Sequence, residues 1–175
     1  LYRDKSSPYV TAKSGNFDKY TLFIERSLDL ISPVGGVGLI VPNKFMTTAA
    51  GEAVRELMTQ NQLLKEIVHF GAQQVFGRNT SNYTCTLILN KLKNDSFTFE
   101  KVDDLVKWRY GQTGSRQSMS FDQINQEPWA FCSESASAVF DRLRSASNLV
   151  VGGKRGIADI FVGVQTSNDS VYIFS

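Results

Sequence analysis

The stretch that decides the fold is Pro33-Val-Gly-Gly-Val-Gly-Leu-Ile-Val-Pro-Asn-Lys-Phe45. Gly35 and Gly36 predict a turn, and the apolar run Val37–Val41 predicts a short strand. Pro42 ends that strand, because proline has no N–H to donate to a sheet ladder. A strand that is apolar on both sides indicates cover on both faces and a central position in an α/β sheet. We therefore expect Val37–Val41 in the core.

The strand is followed by a polar amide, a cation and an aromatic ring, Asn43-Lys44-Phe45. In open α/β sheets, ligands bind beyond the carboxyl ends of the strands, so this triplet is a candidate site. The simpler interpretation is that Asn43 caps the next turn and Lys44 is solvated.

Apolar periodicity extends this pattern along the first half of the chain. A helical period over residues 17–31 has Tyr20, Ile24 and Leu28 on one face, and a second helical period covers residues 49–60. Ile67–Phe70 and Tyr83–Asn90 are predicted strands. The strands at 37–41 and 67–70, joined by a helix, form a βαβ unit and should be parallel. The polar loop 71–82 is long for a hairpin, and loops of that length are often functional.

The second half of the chain has weaker patterns. Phe97–Val102 predicts a strand, residues 103–110 one or two helical turns, and the Gly/Ser/Gln-rich segment 111–120 a mobile linker. A helix is predicted from Ser133 or Ser135 to about Arg144. Further predicted strands cover 160–164 and 171–174.

The composition is that of an ordinary globular protein, with 175 residues, 42% hydrophobic and 21% charged. A net charge of +2 does not by itself indicate a nucleic-acid binder, so any such binding needs a local patch. Cys85 and Cys132 lack metal-ligand spacing and predict free thiols in a reducing cytosol. The only histidine, His69, lies in an apolar strand pattern and is expected in the core. No apolar run approaches the ~20 residues of a membrane span, and the start at Leu1 suggests a fragment.

Several chemistries lack their sequence signals. Gly35-Gly36-Val37-Gly38 precedes a strand rather than a helix, which is the wrong context for a phosphate-binding loop. There is no Cys/His metal cluster. No lysine follows an acidic residue at the Asp/Glu-x-Lys spacing of the common metal-dependent nucleases, and Ser7-Pro8-Tyr9 lacks the second proline of an Asn-Pro-Pro-Tyr motif.

Four blocks of sequence, in order, carry a family resemblance: Phe17–Glu25, Pro33–Phe45, His69–Phe76 and Tyr83–Leu89. They resemble the γ-class adenine-N6 DNA methyltransferases of restriction–modification systems, closest to the Eco57I-like and TaqI-like enzymes. The late segment Gly156–Thr166, with residues 171–174, resembles the entry into that family's target-recognition domain.

The resemblance implies an α/β fold, the second half of a Rossmann-like S-adenosylmethionine-dependent methyltransferase sheet with parallel strands and one antiparallel strand. The antiparallel strand, 83–90, should lie between the other two. The implied domains are the C-terminal half of the catalytic domain (1–92), an α/β extension (93–150) and the start of the recognition domain (151–175). The family's glycine-rich cofactor loop and catalytic Asn-Pro-Pro-Tyr would lie upstream of residue 17, and neither is present here.

The resemblance also implies roles for individual residues. Phe23 matches a ring that contacts the adenine of S-adenosylmethionine, and Phe76 matches the aromatic residue that stacks on the extruded target base. Asn43 and Lys44 are candidates for target-base or DNA contacts, and Arg78 and Asn79 for phosphate contacts. No catalytic residue and no metal ligand is expected in this chain.

The resemblance implies double-stranded DNA as a partner, is compatible with a restriction endonuclease domain or subunit, and places the protein in the cytoplasm, away from membranes. A half sheet would also expose an unpaired edge that favours self-association. Two alternatives remain open at this point: a fragment of a protein or RNA methyltransferase, and a non-enzymatic DNA-specificity or interaction module.

Overall fold

The computed structural model describes residues 7–12, 17–76 and 83–131, together with Val139 and Arg142. The chain divides into two compact units, Leu1–Ala130 and Phe131–Ser175, and the fold below is that of the first. The predicted helix near 133–144 lies almost entirely outside the described residues, and the predicted strands at 160–164 and 171–174 lie wholly outside them.

Three α-helices occur in the described part of the first unit: α1 (Lys19–Leu30), α2 (Glu52–Gln60) and α3 (Leu105–Arg109). The first two confirm the helical periods, and α1 buries Leu22, Ile24 and Leu28 on its apolar face. A 3-10 turn, Ala49–Gly51, precedes α2. The short α3 is capped by the preceding residue, Asp104, whose carboxylate accepts hydrogen bonds from two backbone N–H groups of the first turn of the helix.

Five strands form one mixed sheet: β1 (Gly36–Pro42), β2 (Leu64–His69), β3 (Thr84–Asn90), β4 (Ser96–Lys101) and β5 (Ser115–Ser120). The strand order is β1-β3-β2-β4-β5. β3 is antiparallel to both β1 and β2, which are therefore parallel to each other. The predicted insertion of the antiparallel strand between the other two is confirmed, and β4 adds to β2 in parallel.

The prediction that Val37–Val41 is a central, covered strand is wrong for the part of the chain that the structure describes. β1 lies at the edge of the sheet, paired only with β3. Val41 is buried, but Ile40 is 52% exposed and Val37 is partly exposed. The apolar run therefore leaves an uncovered, unpaired edge rather than a core strand.

The segment predicted to be a mobile linker, 111–120, also differs. Its second part is β5, which pairs antiparallel with β4 along its whole length. The strand contains little apolar sequence, and its attachment is partly ionic: Arg116 bonds Glu66, and its Nε lies 3.3 Å from the buried Glu100. Pairing and charge therefore order a segment whose composition is typical of a loop.

The segment before α1 is anchored by a buried carboxylate. Glu25 of α1 accepts hydrogen bonds from the N–H groups of Val10 (2.7 Å) and Thr11 (3.0 Å) and from the Thr11 hydroxyl (2.6 Å). Such charge-assisted bonds are the stronger kind. They fix the 3-10 turn Val10–Ala12 on α1.

The core lies around β3, whose Cys85, Leu87 and Leu89 are fully buried. Burial raises the pKa of the Cys85 thiol to about 12, so it behaves as an apolar side chain. Within the described residues, no group of three or more His, Cys, Asp or Glu side chains is placed to hold a metal ion. No helix in that same part of the chain is long and apolar enough to cross a membrane.

Candidate nucleic-acid and cofactor site

The carboxyl ends of β1 and β2 flank the start of β3, one on each side of it. Val41 and His69 are both register partners of Cys85. The turn that follows β1 and the loop that follows β2 therefore leave the sheet at the same end of the strands. Open α/β sheets bind ligands at this carboxyl end of their strands.

The turn after β1, Asn43–Met46, is a single 3-10 turn that carries the polar triplet. Asn43 donates its backbone N–H to the carbonyl of Tyr83 at 2.9 Å, which ties the turn to the start of β3. Lys44 Nζ lies 2.8 Å from a carboxylate oxygen of Asp18, just before α1. Asp18 thus makes no side-chain cap on its own helix and instead holds Lys44.

A buried arginine supports this turn from α2. Arg55 is 1% exposed, and its guanidinium donates to the carbonyls of Phe45, Thr48 (2.8 Å) and Gln126 (2.7 Å). Gly51 allows the close approach, because a Cβ there would lie only 1.9 Å from the Phe45 carbonyl oxygen. The turn after β1 is therefore a fixed feature of the fold.

His69 links the two strand ends. The N–H of Gly71 donates to its Nδ1 at 3.1 Å, so the neutral ring carries its proton on Nε2. Asn43 Nδ2 lies 3.1 Å from Nε2. Because Nε2 is a donor in this tautomer, the amide accepts its proton once the nearly isosteric amide nitrogen and oxygen are exchanged, with Oδ1 facing the ring. Burial, and secondarily the charge of Lys101, lowers the pKa of His69 and so favours this neutral form.

The loop after β2 begins with the turn at Gly71, which has a positive φ of 58°. The loop is described as far as Phe76, whose ring is 59% exposed. Arg78 and Asn79 lie outside the described residues. Phe76 is thus an exposed ring on an ordered backbone, rather than a core side chain.

Phe23, the fourth described candidate, lies on α1 with 68% of its surface exposed. α1 is in contact with β1, but the candidate set is not one cluster. The structure brings Asn43 and Lys44 together at the end of β1 and connects Asn43 to the Phe76 loop through His69. Phe23 is carried on a separate element.

Sequence reasoning missed the residues that hold the site in place. His69 is half-buried at the site rather than in the core, and Arg55 was not assigned to any face. Gln73 lies in the predicted polar loop, and its side chain is hydrogen-bonded to the backbone of Val102 and Leu105. The one available signal was the position of His69 at the carboxyl end of a strand next to a polar loop.

Comparison with known proteins shows which sequences and folds this chain is similar to. Residues 2–76 match the family described as Eco57I restriction-modification methylase. The chain is therefore similar in sequence to the Eco57I methylases. It is 34% identical over 165 residues to the Escherichia coli type II restriction enzyme and methyltransferase RM.Eco57I, covering 90% of this chain and 16% of that protein.

Two further comparisons agree. The type II methyltransferase M.BstVI of Geobacillus stearothermophilus is 23% identical over 174 residues, covering 89% of this chain and 31% of that protein. The structure of the type IIG restriction endonuclease BpuSI matches 65% of this chain and 15% of its own length, with a TM-score of 0.50 and 13% identity. The fold is therefore that of part of a methyltransferase sheet, and the chain spans less than a third of the length of each protein named here.

Proposed function

We propose that this chain is the C-terminal part of an adenine-N6 DNA methyltransferase domain, followed by the start of its target-recognition domain. The observation that carries the proposal lies at the carboxyl ends of β1 and β2, where hydrogen bonds join Asn43, His69 and the start of the Phe76 loop. The relationship to restriction–modification methyltransferases supports the reaction class. Domain limits of 1–92, 93–150 and 151–175 belong to this proposal.

The proposed substrate is an adenine turned out of duplex DNA. Extrusion costs a few kcal/mol, and stacking on an aromatic face returns roughly 1–3 kcal/mol per base. Phe76 supports this role because its exposed ring follows directly on Gln73 and Val75, which are both hydrogen-bonded to α3. Arg78 and Asn79, two and three residues further on, are proposed phosphate contacts.

The proposed cofactor is S-adenosylmethionine, which supplies an electrophilic methyl group when bound. The exposed ring of Phe23 suits contact with the adenine moiety of that cofactor. In this proposal the cofactor loop and the catalytic tetrad lie upstream of residue 17. This chain alone is then inactive and works in the cytoplasm as part of a longer assembly, with double-stranded DNA and a nuclease domain or subunit as the proposed partners.

The test is methyl transfer by two proteins, the chain itself and a longer protein that includes the upstream half. Tritiated S-adenosylmethionine is the donor, a pool of duplex DNA is the acceptor, and the modified base is identified by mass spectrometry. We expect N6-methyladenine from the longer protein and no product from residues 1–175. Methylation of cytosine, of RNA or of protein by the longer protein would contradict the proposal. So would DNA binding without any transfer, which is the behaviour of a specificity module.

A further inference from the structure

The short helix α3 is hydrogen-bonded to the loop that carries Phe76. The side chain of Gln73 spans the gap: its Nε2 donates to the Val102 carbonyl at 2.6 Å, and its Oε1 accepts the Leu105 N–H at 2.7 Å. At the other end of α3, Arg109 Nη2 donates to the Val75 carbonyl at 2.8 Å. Together these bonds form a clamp: Gln73 and Arg109 join α3 to the loop on both sides of residue 74, across some thirty residues of sequence.

Apolar packing fills the space between these bonds. Val75, Leu105 and Trp108 are partly buried against the cluster of Phe70, Val68 and Val102. Trp108 meets the ring of Phe70 edge-on with 5.1 Å between centroids. Its indole N–H donates to the buried carboxylate of Glu100 at 3.0 Å. α3 is therefore itself fixed on β4 and can serve as a rigid support.

Phe76 is the first residue beyond this support. Its backbone follows directly from the clamped Val75, while its ring is left exposed. A half-exposed ring gains little from the fold through its own burial, so its direction depends on the backbone before it. The support is consequently in place to set where the ring points.

We propose that Gln73, with Arg109, is a positioning residue for the extrusion of the target base, and that α3 is the platform on which the Phe76 loop is set. This inference rests on the proposed function. Gln73 itself contacts no substrate. It holds the loop so that the Phe76 ring meets the extruded adenine without a search through loop conformations, which is the energetic advantage of preorganisation.

The experiment uses the longer methyltransferase and compares Gln73→Ala with Gln74→Ala. Gln74 is the neighbouring residue of the same type and is exposed, so it is a matched control. Arg109→Gln tests the other end of the clamp at an exposed position, in case Gln73→Ala fails to fold. The readouts are single-turnover methylation at saturating DNA, fluorescence of 2-aminopurine at the target position, and thermal melting.

We expect Gln73→Ala and Arg109→Gln to slow methylation by about tenfold or more and to weaken the 2-aminopurine signal, since small misplacements near reacting groups have effects of this size. Gln74→Ala should stay within about twofold. A duplex with an abasic site opposite the target adenine should restore most of the rate to both clamp variants, because extrusion from it costs less. A purely structural role would lower the melting temperature without this rescue.

The two proposals fail in different ways. If the wild-type longer protein forms no N6-methyladenine, the proposed function is wrong. If the wild type is active and the two clamp variants match Gln74→Ala in rate and fluorescence, the positioning role is wrong. Equal loss of rate on the intact and the abasic substrates would also overturn it.

Discussion

A single imidazole joins the two halves of the candidate site. His69 accepts from the Gly71 N–H on one side and bonds the Asn43 amide on the other, each at 3.1 Å. Protonation of Nδ1 would remove its acceptor lone pair and break the bond to Gly71. The charge state of one residue therefore controls the first turn of the Phe76 loop.

The pKa of His69 is lowered by burial and by Lys101, and this gives a pH prediction. The pKa of His69 in the unfolded chain is about 6.5, so as the pH falls the unfolded state is protonated before the folded state. The contribution of neutral His69 to the free energy of unfolding is thus fully present at pH 7 and above, and it falls as the pH drops from 6.5 through the pKa of the folded state. His69→Gln should remove this part of the pH dependence. Urea unfolding of both proteins at pH 7.5 and 5.5 measures it, and equal losses in the two would contradict the assignment.

Phe76 is predicted to act on the substrate rather than on the fold. Because its ring is already 59% exposed, Phe76→Ala should change the melting temperature little. In the longer enzyme, it should slow single-turnover methylation by about tenfold or more, since stacking contributes roughly 1–3 kcal/mol. Phe76→Trp should keep much of the activity. A sharp fall in melting temperature with an intact methylation rate would mean that Phe76 is a core residue.

At the scale of the element, the sequence predicts what apolar periodicity encodes. α1, α2, β2, β3 and β4 follow their patterns because each buries a regular face. β5 escapes prediction because Ser115–Ser120 is held by pairing with β4 and by Arg116, both of which are long-range. Gln73 and Arg55 cannot be predicted for the same reason, because they find their partners only after the chain has folded.

Arg55 provides the element-scale test. It is a charged residue on the buried face of α2, and its three carbonyl partners are in the chain before β2 and after β5. Arg55→Met should lower the free energy of unfolding by at least about 3 kcal/mol, because buried carbonyls lose charge-assisted bonds. Glu56→Ala, on the exposed face of the same helix, should change it by less than about 0.5 kcal/mol. Chemical denaturation compares them, and equal effects would show that the turn after β1 is held by other contacts.

At the scale of the whole molecule, the uncovered strand β1 is the main departure from expectation, and it has a physical meaning. Its sequence has the apolar residues of a covered strand, but within the described residues its outer edge is unpaired. The sequence indicates the environment that suits the strand, while the structure shows only what the described residues place around it. The difference predicts that another part of the protein completes the sheet at β1.

This prediction can be tested by mixing residues 1–175 with the separately produced upstream half. We expect a complex on size-exclusion chromatography and methyl transfer that neither piece shows alone. Ile40→Lys should abolish both, because Ile40 is a 52% exposed side chain on β1 and a charge buried in the completed fold would be unpaired. Val106→Lys, at a 62% exposed position on α3, is the matched control and should leave assembly intact. If Ile40→Lys assembles as well as the control, the exposed face of β1 is not part of the surface where the halves meet.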